Sequence, residues 1–222
     1  MTPLVKICGL STPEALDAAL DAGADMIGLV RFPKSPRHVG LEEGRALSTR
    51  AKGKVLRVAL VVDATDSVLE AVVAALDPDL IQLHGAETPE RVATIRARFG
   101  RPVMKAVGIA EAADLDAIER YRAVADRVLL DAKPPQRAEA LPGGNGLAFD
   151  WRLVAGLDPD KPFMLSGGLS PETVAAAIEL TGMRAVDVSS GVETRPGQKS
   201  PDRIAAFVKA ARAAWGGSQA KD

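Results

Sequence analysis

The chain has 222 residues, is 47% hydrophobic, and sets 28 Lys and Arg against 29 Asp and Glu for a formal net charge of -1. That length buries one sizeable core and suits an α/β barrel as a single domain spanning residues 1–222, with little room for a second full domain. The balanced charge excludes a basic field for nucleic acid or an anionic membrane, so any bound anion must be held locally.

Taken in chain order, the N-terminus MTPLVKICGL has no basic region followed by a long apolar run. Nor does any stretch approach about eighteen uninterrupted apolar residues, and the expected compartment is the cytoplasm. Short runs rich in β-branched residues then predict eight strands: Leu4 to Cys8, Met26 to Val30, Val55 to Val62, Leu80 to Leu83, Val103 to Val107, Arg127 to Leu130, Phe163 to Leu165 and Ala185 to Val188. Between them, alanine-rich segments such as Glu14 to Ala22, Ser67 to Leu76, Pro89 to Phe99 and Pro171 to Leu180 repeat their apolar residues at three and four, the helical spacing.

Helix starts are marked by Thr12-Pro13-Glu14, Thr88-Pro89-Glu90, Ser170-Pro171-Glu172 and Ser200-Pro201-Asp202, each a capping hydroxyl, a first-turn proline and an acid. Eight strand and helix units at a pitch of roughly 25 residues predict a single (β/α)8 TIM barrel. A doubly wound open sheet loses ground because the first strand-to-helix junction, Cys8 to Pro13, has no G-x-G-x-x-G fingerprint. Lys133 to Ala148 reads as an irregular loop, either a lid or a surface excursion with no role. The small, polar end from about residue 216 reads as a short flexible tail.

In such a barrel the chemistry gathers where strands end. Strand one ends in Cys8, strand two runs into Lys34-Ser35-Pro36-Arg37-His38, strand four ends in Gln82-Leu83-His84-Gly85, and strand six ends in Asp131. The endings Ser166-Gly167-Gly168 and Ser189-Ser190-Gly191 read as a phosphate site, because small residues let backbone N–H groups approach an anion. The lone Cys8 rules out an internal disulfide framework, which leaves a buried hydrophobe or a reactive thiol. As a base it needs its thiolate stabilised, since a free thiol titrates at about 8.5. Lys6 shares its facing parity. Asp131 is either a loop cap or half of an acid and base pair, and Arg37 is either a solvated loop charge or a ligand contact.

The blocks Lys6-Ile7-Cys8-Gly9-Leu10, Lys34-Ser35-Pro36-Arg37, Gln82-Leu83-His84-Gly85 and Leu130-Asp131 resemble, in order, the phosphoribosylanthranilate isomerases of tryptophan biosynthesis. The likeness continues through Gly143-Gly144-Asn145-Gly146, Phe149-Asp150-Trp151, Ser166-Gly167-Gly168-Leu169 and Asp187 to Glu193, and so spans nearly the whole chain. It implies an Amadori rearrangement of N-(5-phosphoribosyl)anthranilate to 1-(2-carboxyphenylamino)-1-deoxyribulose 5-phosphate without metal or organic cofactor, by a monomer or homodimer. By the same resemblance Asp131 is the general acid, Cys8 the general base and Arg37 the holder of the anthranilate carboxylate. Gly167, Gly168, Ser190 and Gly191 hold the phosphate, and His84 either meets the substrate or packs.

The chain departs from the family pattern at Leu29, Arg31 and Leu147. Two enzymes of related fold remain as alternatives. An isomerase of histidine biosynthesis would carry aspartate where Cys8 stands. An aldolase or synthase barrel would present a Schiff-base lysine or a lysine and glutamate pair, which no strand end offers clearly and for which Lys105 is the weakest candidate. A phosphate-binding barrel without turnover is the alternative outside enzymes, and it would make no demand on an acid and base pair.

Overall fold

Alternation of inward and outward side chains along eight short strands sets the architecture, because a strand buried on both faces must satisfy a barrel interior and a helix layer at once. The computed structural model describes residues 2–133, 143, 144, 146 and 148–218. In it β1 (Leu4–Cys8), β2 (Met26–Arg31), β3 (Leu56–Val61), β4 (Leu80–Leu83), β5 (Val103–Ile109), β6 (Arg127–Ala132), β7 (Phe163–Leu165) and β8 (Ala185–Val188) close in sequence order into a parallel barrel. Closure is made by β1 pairing with β8, Lys6 opposite Asp187.

The interior fills in layers. Met26, Val58, Leu80, Met104, Leu129, Met164 and Ala185 form a buried apolar plug at the N-terminal end of the strands. Two residues further along the strands stand Lys6, Gln82, Asp131, Ser166 and Asp187, all buried and all polar or charged. The alternate residues, among them Ile7, Ile27, Leu29, Ile81, Val107 and Leu130, face outward into the larger core beneath the helices.

That layer contains α1 (Pro13–Asp21), α2 (Leu41–Ala51), α3 (Asp66–Leu76), α4 (Pro89–Phe99), α5 (Leu115–Arg122), α6 (Val174–Thr181) and α7 (Pro201–Ser218). Thr12 and Thr88 cap α1 and α4 as the sequence predicts, their hydroxyls accepting the N–H groups of Ala15 and Arg91. Ser170 does not start α6. Its carbonyl accepts from Thr173 and Val174 in a separate turn, and the helix begins three residues after Pro171. The strict count of eight helices also fails among the described residues, where β6 and β7 are joined through a 3₁₀ turn at Trp151–Val154. After β8 comes an unpredicted antiparallel hairpin of β9 (Glu193–Arg195) and β10 (Gln198–Lys199).

The polar tail expected from 216 begins later, since α7 runs to Ser218, and residues 219–222 lie outside the described residues. Most of the Lys133 to Ala148 loop, with Leu147, lies outside them as well. No helix among the described residues is long and apolar enough to cross a membrane.

Candidate active site

Cys8 ends β1 with only 3% of its surface exposed. Its neighbour across the strand pair is Gly28, and a Cβ there would stand 2.7 Å from Cys8 Sγ, so glycine makes the room the thiol occupies. One layer below, Lys6 Nζ donates to Asp187 Oδ1 at 2.8 Å, and Ser166 Oγ donates to Asp187 Oδ2 at 3.2 Å. Burial pushes the Cys8 thiol above its ordinary range; the positive charges of Lys6 and Lys199 pull against it and Asp187 adds to it. The resting thiol is therefore neutral at pH 7. Burial also works against the charge of Lys6, but Asp187 and Cys8 outweigh it and hold the ammonium above its ordinary range.

Asp131 stands at the end of β6 on the opposite side of the mouth, 7% exposed. Its Oδ1 accepts the Ala132 N–H at 2.9 Å, and its Oδ2 lies 3.2 Å from His84 Nε2. Gln82 Nε2 sits 2.9 Å from His84 Nδ1, so the Gln82 amide donates to Nδ1 and the ring presents its Nε2–H to Asp131. His84 is thus tied to the carboxyl rather than simply packed.

Arg37 reaches the same mouth from the loop after β2 and is 4% exposed. Its Nε and Nη2 donate to Glu193 Oε1 and Oε2 at 2.7 and 2.9 Å, and Nη2 also meets the Gly144 carbonyl at 3.2 Å. It is not the solvated loop charge that one reading of the sequence allowed.

At the ends of β7 and β8, Gly167 and Gly168 adopt φ of 77° and 70°, the left-handed region where a side chain is strained. A Cβ on Gly168 would also collide with Ala148. Trp151 Nε1 donates to the Gly167 carbonyl at 3.2 Å and fixes this turn. Among the described residues the N–H groups of Gly168 and Ser190 find no acceptor in the chain. Gly191 is placed differently. A Cβ there would strike the Leu169 carbonyl, so it serves the packing of the two loops and does not line the cavity.

Cys8, Arg37, His84, Asp131, Gly167, Gly168 and Ser190 line one cavity, open at the C-terminal end of the barrel. Lys105 is outside it. Its ammonium pairs with Glu87 at 3.0 Å and lies 5.4 Å from the Tyr121 ring, which makes it part of the helix-side packing and removes it as a Schiff-base candidate. Arg31 also faces outward, donating to the Val39 carbonyl at 2.5 Å and lying 3.0 Å from His38. Sequence reasoning gave no role to Glu193, Lys199, Gly28 or Trp151. Of these only Glu193 and Trp151 stood inside a recognisable block.

A parallel (β/α)8 barrel whose strand ends gather a thiol, a carboxyl, a guanidinium and two glycine-rich turns around one cavity has the arrangement of a small-molecule enzyme. A family model described as N-(5'phosphoribosyl)anthranilate (PRA) isomerase matches residues 5–210. The chain is 59% identical over 215 residues to the N-(5'-phosphoribosyl)anthranilate isomerase of Azorhizobium caulinodans, covering 97% of this chain and 94% of that one. Among solved structures, it is similar to monomers generated from the dimeric phosphoribosylanthranilate isomerase of Thermotoga maritima (TM-score 0.81, 35% identity, 96% of this chain and 100% of that one). A phosphoribosyl anthranilate isomerase in complex with reduced 1-(o-carboxyphenylamino)-1-deoxyribulose 5-phosphate gives a TM-score of 0.82 at 35% identity, with the same coverage. The chain belongs to the N-(5'-phosphoribosyl)anthranilate isomerase family and is an isomerase of tryptophan biosynthesis.

Proposed function

We propose that the isomerase reaction, from N-(5'-phosphoribosyl)anthranilate to 1-(2-carboxyphenylamino)-1-deoxyribulose 5-phosphate, is divided between Asp131 as general acid and Cys8 as general base. The observation that carries this reading is that both groups end strands of the same barrel and face one cavity, with Arg37 and the two glycine-rich loops at its rim. Asp131 gives its proton to the ribose ring oxygen as the bond from that oxygen to C1 breaks, leaving a Schiff base between C1 and the amine. The Cys8 thiolate, formed by loss of the thiol proton to solvent, then takes the proton from C2; the C2–H electron pair becomes the C1=C2 bond, the C1=N pair returns to nitrogen, and the resulting enol tautomerises to the ketone. No covalent bond to sulfur forms.

Because burial keeps the resting thiol neutral, Lys6 and Lys199 are the groups that make the thiolate accessible. His84 holds the Asp131 carboxyl toward the cavity. Arg37 takes the anthranilate carboxylate, and the N–H groups around Gly168 and Ser190 take the phosphate. Gly167 and Gly191 shape those loops. The enzyme works in the cytoplasm as a single domain, monomeric or as a homodimer, on a small molecule and without nucleic acid or membrane.

The test follows anthranilate fluorescence as wild-type, Cys8→Ser and Asp131→Asn proteins, each shown folded by circular dichroism, receive freshly generated phosphoribosylanthranilate. Turnover by wild type and its loss by at least about a hundredfold in both variants is expected for a general acid and base. Undiminished turnover in either variant removes that residue from the mechanism.

A further inference from the structure

Glu193 is the most fully engaged carboxylate at the mouth of the barrel. Arg37 Nε donates to Oε1 at 2.7 Å and Arg37 Nη2 to Oε2 at 2.9 Å. Lys199 Nζ donates to Oε1 at 2.8 Å, and the Gly197 N–H reaches Oε2 at 3.2 Å. Four donors therefore converge on a side chain that is 4% exposed. Its carboxyl is held below the usual carboxylate range: burial opposes this, but the hydrogen bond from Arg37 and the charge of Lys199 outweigh it.

One carboxylate faces two basic groups, Arg37 and Lys199, and burial draws the Lys199 ammonium below its ordinary range against the pull of Glu193, so the charge of this cluster rests first on Arg37. Geometry decides where that charge is offered. With Nε and Nη2 taken, Nη1 is the one nitrogen of the guanidinium that makes no hydrogen bond among the described residues. Gly144 lies against it, where a Cβ would come within 2.5 Å of Nη1. The stem of Arg37 lies over Gly9, where a Cβ would stand 2.5 Å from its Cδ. The turn of the β9 and β10 hairpin packs on the Arg37 loop from the other side, since a Cβ on Gly197 would strike the Pro36 carbonyl.

Lys199 extends the same arrangement to the phosphate end. Its ammonium donates to the Ser189 carbonyl at 2.9 Å, next to Ser190. The hairpin thus links the two ends of the cavity through one carboxylate and one ammonium.

We propose that Glu193 is a positioning residue that sets selectivity for substrates bearing a carboxylate, by locking two nitrogens of Arg37 so that its remaining nitrogen, Nη1, is held ready for the substrate at the cavity that Arg37 lines. The proposal rests on the reading of Arg37 as the carboxylate holder. A guanidinium fixed in this way has little freedom left to lose on binding, whereas a free one would rearrange toward solvent or toward other acceptors.

The experiment compares dissociation constants for two probes: reduced 1-(o-carboxyphenylamino)-1-deoxyribulose 5-phosphate and the same compound without its carboxyl group. In Glu193→Gln the carboxylated probe is expected to bind about 10- to 100-fold more weakly, the range of a lost charge-assisted hydrogen bond, while the other probe changes by no more than about twofold. Since Glu193→Gln leaves two basic groups without a carboxylate and can fail to fold, Glu193→Gln/Lys199→Met removes one of them and is expected to show the same loss. Lys199→Met alone leaves Arg37 locked and is expected to retain the preference for the carboxylated probe. An Arg37→Met protein that kept the preference would overturn the carboxylate reading of Arg37 itself. Loss of the preference in Arg37→Met, with full retention in both Glu193 variants, would overturn the role of Glu193 and leave Arg37 in place.

Discussion

The two ends of the barrel interior obey the same alternation yet hold opposite chemistry. At the N-terminal end, seven buried apolar residues including Met26, Met104 and Met164 pack into one cluster. Two and four residues further along the strands stand Lys6, Asp187, Gln82, Asp131, Cys8 and His84. The lower layer stabilises through transfer of apolar area and close packing, which need no particular partner. In the upper layers every polar group requires a specific neighbour, because an unpaired charge at that depth costs several kcal/mol. Lys6 is matched by Asp187, Asp131 by His84, and Arg37 by Glu193. Cys8 is kept neutral there by burial, which outweighs the charge of Lys6 and the hydrogen bond between the two side chains.

The largest effect in this comparison comes from splitting a matched pair. Lys6→Met should lower stability by about 3–5 kcal/mol by leaving the Asp187 charge buried alone, as denaturant unfolding would measure. A loss below about 1 kcal/mol would mean that water reaches Asp187 and that the upper layers are less dry than the account requires.

Arg37→Ala should act on binding more than on folding. Glu193 keeps Lys199 and the Gly197 N–H as partners, while the Michaelis constant is expected to rise about 10- to 100-fold. An unchanged Michaelis constant would place the substrate carboxylate elsewhere.

The pH dependence of Cys8 follows from the sign of its shift. A thiol held above its ordinary range is alkylated more slowly at neutral pH than an exposed cysteine, and its rate climbs through the alkaline range. The same shift means that the folded protein keeps a proton that the unfolded chain releases above about pH 8.5, so stability falls as pH rises past that point. Lys199→Met removes one of the two cations opposing burial and should move the alkylation profile further upward. An alkylation rate already maximal at pH 7 would contradict the neutral resting thiol. At the small end, the exposed Arg50 and Asp17 pair on the helix surface belongs to neither layer, and Arg50→Ala should leave the unfolding midpoint unchanged.

Much of this was legible in the chain because strand ends and facing parity are local properties. Apolar runs located all eight strands to within a residue or two, and parity alone put Lys6 beneath Cys8. What stayed hidden depends on closure. Arg37 and Glu193 are 156 residues apart, and Lys6 and Asp187 are 181 apart, meeting only because β1 pairs with β8. The late start of α6 was missed because Ser170-Pro171-Glu172 has the composition of a helix cap but spends its carbonyl on a turn of its own. Gly28 gave no signal, since its value lies in the space it leaves for a sulfur on another strand.

Cys8→Ala and Met164→Ala, each assayed for unfolding free energy and for turnover of phosphoribosylanthranilate, remove a sulfur-bearing side chain from two levels of one barrel. Met164→Ala is expected to lose about 2–5 kcal/mol of stability with turnover nearly unchanged. Cys8→Ala is expected to keep its stability to within about 1.5 kcal/mol, the scale of a small buried side chain, and to lose turnover by at least about a hundredfold. Turnover that fell only in proportion to lost stability in both variants would contradict the separation of packing and chemistry between the two levels.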